Sequence, residues 1–150
     1  MKLAEALILR KDLKNRLEQL RSRLVLNAKV QDGEKPAEEP SVLLAELTHA
    51  ADELEGLIAS INLTNAAATC NGKTLTELLA ERECLSLRVS MMHSLLDSAS
   101  DTVMRGSRTE VKVLSTVPVK ELRKETDELA AQLRKLELTI QAANWSTDLK

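Results

Sequence analysis

The sequence predicts an all-α protein: an antiparallel bundle of four long helices, with one short strand-like connection before the last helix. Three observations predict this fold. The 150 residues include no Phe, no Tyr, one Trp, four Gly and three Pro, a composition typical of long helices. Apolar residues recur every three or four positions in four stretches, which is the period of one helix face. Turn-forming segments separate these stretches. We therefore expect residues 1–150 to form a single helical domain.

The first helix is expected at about residues 2–27 and the second at about 41–65, joined by a polar loop at 31–40. The apolar stripe of the first is Leu3, Ala6, Arg10, Leu13, Leu17, Leu20 and Leu24. The stripe of the second is Leu44, Leu47, Ala51, Leu54, Ile58 and Ile61. Residues 1–36 carry a net charge of +4 and residues 37–72 a net charge of −6. Opposite charges suit an antiparallel helix pair and mainly set its register, since exposed ion pairs contribute only about 0–1 kcal/mol each.

The third helix, at about 75–104, has apolar residues on two opposite sides. The main stripe is Leu75, Leu78, Arg82, Leu85, Val89, Met92, Leu96, Ala99 and Val103. The second stripe is Ala80, Cys84, Leu87 and Met91. A helix with two apolar faces needs a partner on each. We therefore expect the second stripe to contact another helix or another copy of the chain.

The fourth helix is expected at about 119–144, after Pro118. Its stripe is Leu122, Thr126, Leu129, Leu133, Leu136, Ile140 and Ala143. Before it, residues 109–117 alternate apolar and polar side chains, and this is the one strand-like pattern in the chain. We expect an extended segment there, which either pairs with its copy in another subunit or lies along the bundle. Trp145 is expected to cover one end of the bundle.

One segment is a candidate anion site. Arg105, Arg108 and Lys112 surround Gly106 and Ser107, and a basic turn with free backbone N–H groups can hold a phosphate. The alternative interpretation is a solvated basic loop, because the segment lacks the glycine and lysine pattern of a phosphate-binding loop.

Two arginines lie on apolar stripes. Arg10 and Arg82 could hold an anion in the bundle core, or their charged ends could extend to solvent or pair with a nearby acid.

The sequence predicts no metal site, no cofactor and no catalytic residues. Glu46 and His49 form one Glu-x-x-His pair, whereas di-iron bundles need two such pairs and two further carboxylates. Cys70 has no histidine near it in sequence and Cys84 follows an acid, Glu83, so nothing identifies a catalytic nucleophile. Enzymatic activity is therefore not predicted.

Composition and charge also limit the expected binding partners and the expected cellular compartment. The net charge is −2 and aromatic residues are almost absent, so nucleic acid is not an expected partner. The basic, amphipathic first helix allows binding to an anionic membrane surface, but the acidic second helix is the preferred partner. Residues 1–10 are too short and too charged for a signal peptide. We expect a cytoplasmic protein.

Several short segments, taken in order, resemble a family of small uncharacterised bacterial helical proteins, some of which are labelled septicolysin. They are 2–7, 21–24, 27–31, 61–62, 64–66, Ser107-Arg108 with Glu110, 115–117, Ile140-Gln141 and Asn144-Trp145. The chain departs from that pattern at Gly106, where the family has an aromatic residue, and at Pro118, where it has an acid. The resemblance implies a helical oligomer, with a hexamer as one candidate, and no established activity. The septicolysin label implies a membrane-active alternative.

The expected function is accordingly structural or interaction-based, carried out by a homo-oligomer. Its interface is predicted at Ala80, Cys84, Leu87 and Met91 on the outer side of the third helix. The alternatives are a septicolysin-like membrane-active protein and a protein that binds a phosphate ligand through residues 105–112.

Overall fold

The computed structural model describes residues 1–101 and 112–150. These residues form four α-helices, α1 (Leu3–Leu26), α2 (Pro40–Ala67), α3 (Leu75–Ser100) and α4 (Val119–Ser146). The all-α prediction is confirmed. The chain divides into two compact units. We call Met1–Thr74 with Ala142–Lys150 the terminal unit, and Leu75–Gln141 the central unit.

The core of the terminal unit lies between α1 and α2. Leu20 on α1 is buried against Leu43 and Ala50 on α2, with Leu17, Leu24 and Leu47 packed around them. Because Leu20 meets the start of α2 while Leu17 lies beside Leu54 and Ile58 further along it, the two helices are antiparallel. All stripe positions predicted for α1 are buried or half-buried.

The predicted stripe of α2 is buried or half-buried except at Leu44, and the most buried row lies one residue earlier at alternate positions. The buried residues are Leu43, Ala50, Leu57, Ile61 and Thr64, whereas the predicted Leu44 is 53% exposed. Two nearly equivalent apolar rows lie side by side on this helix, so spacing alone could not distinguish them. Pro40 occupies the first turn, where its missing N–H removes no helical hydrogen bond.

A short β-hairpin follows α2 and was not predicted. Strands β1 (Thr69–Cys70) and β2 (Lys73–Thr74) pair antiparallel, with Thr69 opposite Thr74. The two turn residues both have positive φ, 53° at Asn71 and 81° at Gly72. Asn-Gly is the favoured pair for this kind of turn, because Gly has no Cβ and Asn tolerates the left-handed region.

An arginine–carboxylate pair fixes the connection between α1 and α2. The Arg23 Nε donates to both carboxylate oxygens of Glu38, at 3.1 and 3.0 Å, and Nη2 also binds this carboxylate. Asn27 accepts a hydrogen bond from the Glu38 backbone N–H at 3.0 Å and donates one to the Arg23 carbonyl at 2.9 Å. The hydrogen bonds from Arg23 hold the pKa of Glu38 below its ordinary value, and those to Glu38 raise the pKa of Arg23.

The two ends of the chain bind each other in the terminal unit. The Leu3 N–H donates to the Thr147 carbonyl at 2.9 Å, and the Leu149 N–H donates to the Met1 carbonyl at 3.0 Å. Lys2 Nζ lies 2.8 Å from an oxygen of Asp148, and this contact lowers the pKa of Asp148. The last backbone N–H, of Lys150, donates to Thr64 Oγ1 at 2.9 Å. Trp145 is exposed, so the expectation that it covers one end of the bundle is wrong.

The central unit contains α3 and the larger part of α4. Arg88 Nη2 donates to Glu125 Oε1 at 3.1 Å, and Arg82 lies near the other end of α4 beside Arg134. Since lower numbers on α3 meet higher numbers on α4, these helices are also antiparallel. The predicted stripe of α4 is buried or half-buried along its length.

The connection before α4 is described in part. Residues 112–117 form no strand, so the predicted alternation does not give regular β-structure there. Residues 109–111 of that prediction, and residues 102–104 of the predicted third helix, lie outside the described residues.

Candidate functional site

Helix α3 carries the predicted interface, and its opposite side is buried. Leu75, Leu78, Val89 and Leu96 are buried, and Arg82, Leu85, Met92 and Ala99 are half-buried. These residues follow the main predicted stripe, of which Val103 lies outside the described part of the chain. Heptad spacing therefore identified the buried face of this helix correctly.

The second stripe of α3 is exposed along its whole length. Ala80 and Cys84 are exposed, Leu87 is 54% exposed and Met91 is 68% exposed. The structure adds Leu95, which is exposed one turn after Met91 on the same side. Sequence spacing missed Leu95 because the strict heptad continues to Ser94, although a step of four residues from Met91 could have found it. We call these five residues the outer stripe of α3.

Size and charge are unevenly distributed along the outer stripe. Its first two residues, Ala80 and Cys84, are small, whereas Leu87 and Met91 are large. Along one edge, Glu81 precedes Arg88 by two turns. Arg88 also forms an ion pair with Glu125 on α4.

The predicted anion site cannot be built from the described residues. Arg105 and Arg108 lie outside them. Lys112 is described and exposed. The proposed cluster of three cations therefore stays a prediction.

Other chemistry-bearing residues form no evident catalytic or metal centre in the described part of the chain. Glu46 lies 4.0 Å from both Arg16 and Arg23, and its helical neighbour His49 is exposed. Cys70 and Cys84 are free thiols. Across residues 1–101 and 112–150, no group of three His, Cys, Asp or Glu side chains could hold a metal ion. In those same ranges, no helix is long and apolar enough to cross a bilayer.

Comparisons with known proteins place the chain in a family. The crystal structure of a functionally unknown conserved protein from Corynebacterium diphtheriae matches it with a TM-score of 0.94 and 36% sequence identity, covering 100% of this chain and 99% of that chain. No curated protein matches the sequence. A family model, described as a family of unknown function (DUF6847), matches residues 10–149. This match covers nearly the whole sequence, and the chain therefore belongs to the DUF6847 family.

Proposed function

We propose that this protein acts as a homo-oligomeric interaction protein, in which the outer stripe of α3 binds the same stripe of a second copy. The observation that supports this most directly is the exposure of Leu87 and Met91 at heptad spacing, on the side of α3 opposite its buried face. Burying apolar side chains removes them from water, and this stabilises a helix–helix contact.

The distribution of side-chain size favours an antiparallel pair of α3 helices. In a two-fold contact, each residue meets a residue of the other copy reciprocally. An antiparallel arrangement places small Cys84 opposite large Leu87, and Ala80 opposite Met91. A parallel arrangement would place Ala80 against Ala80 and Met91 against Met91, which leaves a gap at one end and crowding at the other.

Charge complementarity supports a second copy as the occupant. The same antiparallel register brings Glu81 of each copy towards Arg88 of the other, giving two opposite-charge contacts beside the apolar seam. Such flanking contacts set partner and register more than affinity. In a hexamer, this two-fold contact would be one of several interfaces.

Oligomeric state tests the proposal. We expect the parent to be a multimer by native mass spectrometry and light scattering, and Leu87→Glu to dissociate this contact because it buries a charge. The matched control is Leu63→Glu, which changes a similarly exposed leucine on α2. A monomeric parent, or equal assemblies for parent and Leu87→Glu, would show the interface to be wrong.

Disulfide trapping tests the direction of the pair. One chain keeps Cys84 and carries Cys70→Ser, and a second chain carries Cys70→Ser, Cys84→Ala and Leu87→Cys. An antiparallel pair should cross-link the two different chains under mild oxidation, because a disulfide needs Cα atoms within about 7 Å. Cross-linking confined to two chains of the same kind, Cys84 with Cys84 or Leu87→Cys with itself, would indicate a parallel pair instead.

A further inference from the structure

A pocket of about 400 Å³ lies between α3 and α4 within the central unit. Among the described residues, one from α3 and five from α4 line it: Arg82, Arg134, Glu137, Leu138, Ile140 and Gln141. Its volume is in the range of small-molecule sites. It is separate from the outer stripe of α3, because Arg82 belongs to the opposite, inward side of that helix.

The helical pattern explains how these residues meet. Arg134, Leu138 and Gln141 follow one another at intervals of four and three positions, so they share one face of α4 with Glu137. Ile140 is buried and gives the pocket an apolar wall. Arg82 is half-buried, and its long side chain extends from the apolar stripe of α3 to the pocket, as arginines at the edge of a core do.

The charge of the pocket favours an anion. Two guanidinium groups face one carboxylate, which gives a net charge of +1. Among the described residues, neither Arg82 nor Arg134 has an acidic group within ion-pair distance. Guanidinium groups bind carboxylate and phosphate oxygens through paired hydrogen bonds. The remaining walls, from Leu138 and Ile140, suit an apolar group.

From this arrangement we infer that the pocket binds a small molecule with an anionic oxygen group, a carboxylate or a phosphate, attached to an apolar body. The anionic group lies between Arg82 and Arg134, and the apolar body contacts Leu138 and Ile140. Gln141 can donate a hydrogen bond to the anionic group. Glu137 disfavours ligands with a large negative charge, since like charges repel.

Calorimetry with four probes tests both parts of the ligand. Octanoate and octyl phosphate carry the charge and the apolar chain, octanol lacks the charge, and inorganic phosphate lacks the chain. We expect one site per chain for the first two, used below micelle-forming concentrations. Octanol should bind at least about ten-fold more weakly because it lacks the hydrogen bonds to a charged group. Inorganic phosphate should also bind at least about ten-fold more weakly, because it buries no apolar chain. The tighter of the two charged probes identifies the anionic group.

Matched variants test whether the probe binds in this pocket. Arg82→Met and Arg134→Gln should each weaken octanoate binding by about ten-fold or more. Lys135→Gln is the control, because it removes an exposed cation next to Arg134 that does not line the pocket. If Arg82→Met does not fold, as judged by circular dichroism, Arg134→Gln still tests the site.

Amide chemical shifts locate the bound probe, and they should change around 134–141. Equal binding of octanol, unchanged binding in both arginine variants, an equal loss in Lys135→Gln, or shifts confined to the terminal unit would each overturn the inference.

Vesicles with and without phosphatidic acid distinguish the source of the ligand. If the protein sediments with vesicles that contain phosphatidic acid and Arg134→Gln abolishes this, the ligand is a lipid. If the protein binds the soluble probes but does not sediment with the vesicles, the ligand is a soluble molecule.

Discussion

The terminal and central units differ in the polar contacts between their segments and in the surfaces that they leave exposed. In the terminal unit, polar contacts join α1 to the loop before α2, and the first residues of the chain to the last. In the described part of the central unit, Arg88 and Glu125 join α3 to α4, while the outer stripe of α3 stays exposed and a pocket remains open. Both contacts that we propose with other molecules, at the outer stripe of α3 and at the pocket, lie in the central unit, whereas the polar contacts of the terminal unit join its own segments.

The largest effect is expected in the core of the terminal unit. Leu43→Ala should lower the free energy of unfolding by about 2–5 kcal/mol, because it leaves a cavity beside Leu20 and Ala50. Leu44→Ala, one residue away on the exposed side, should change it by less than about 0.5 kcal/mol. Urea unfolding measures both. Similar losses in the two variants would contradict the burial of Leu43 and the exposure of Leu44 on α2.

A smaller effect should distinguish two buried threonines, one in each unit. Thr64 donates to the Ser60 carbonyl at 2.8 Å and accepts from Lys150, whereas Thr126 donates only to the Leu122 carbonyl, at 2.7 Å. Thr64→Val should therefore cost about 1 kcal/mol more than Thr126→Val, since the Lys150 N–H loses its acceptor.

Hydrogen exchange checks the cause of that difference. The amides of Leu149 and Lys150 should exchange faster in Thr64→Val than in the parent, and at the parental rate in Thr126→Val. Equal stability of the two valine variants would show that the end of the chain adds nothing measurable to the terminal unit.

The smallest effect is expected for the Arg23–Glu38 pair, and it should depend on pH. The pKa of Glu38 is lower in the folded state, so the fold favours its carboxylate form. Its stabilising contribution is complete above the unfolded pKa, about 4.3 for Glu. It is lost as the pH falls through the lower folded pKa. Glu38→Gln should therefore melt below the parent at pH 7, and the difference should shrink below about pH 4.3.

Glu125→Gln is the matched variant in the central unit. It removes one charged hydrogen bond instead of a bidentate set, so its melting temperature at pH 7 should fall less than that of Glu38→Gln. Thermal melts of the three proteins between pH 3 and 7 provide the measurement. A constant gap between the parent and Glu38→Gln across this range would refute the assigned ionic contribution.

Sequence periodicity predicted the helices well because burial on one face leaves a regular pattern. It identified the buried faces of α1, α3 and α4, where one apolar row clearly dominates. On α2, Leu44, Ala51 and Ile58 run beside Leu43, Ala50 and Leu57, and only tertiary packing selects the second row. The hairpin at 69–74 carried a recognisable Asn-Gly signal, but its strands are too short to show an alternating pattern.

The candidate sites were predictable to different degrees. The outer stripe of α3 could be read from spacing, since all its residues lie on one helix. The pocket could not, because Arg82 and Arg134 are far apart in sequence and meet only through the antiparallel pairing of α3 and α4. The placement of Arg82 on an apolar stripe was the one available signal.

The contact between the two chain ends has a consequence for biosynthesis. A ribosome adds about 5–20 residues per second, so residues 1–3 are made well before residues 147–150. All of the central unit is made before Thr147, Leu149 and Lys150, which complete the terminal unit. The Leu3 N–H and the Met1 carbonyl must therefore wait for Thr147 and Leu149 before they find their native partners. Until then, the beginning of α1 lacks the backbone contacts that residues 147–149 provide.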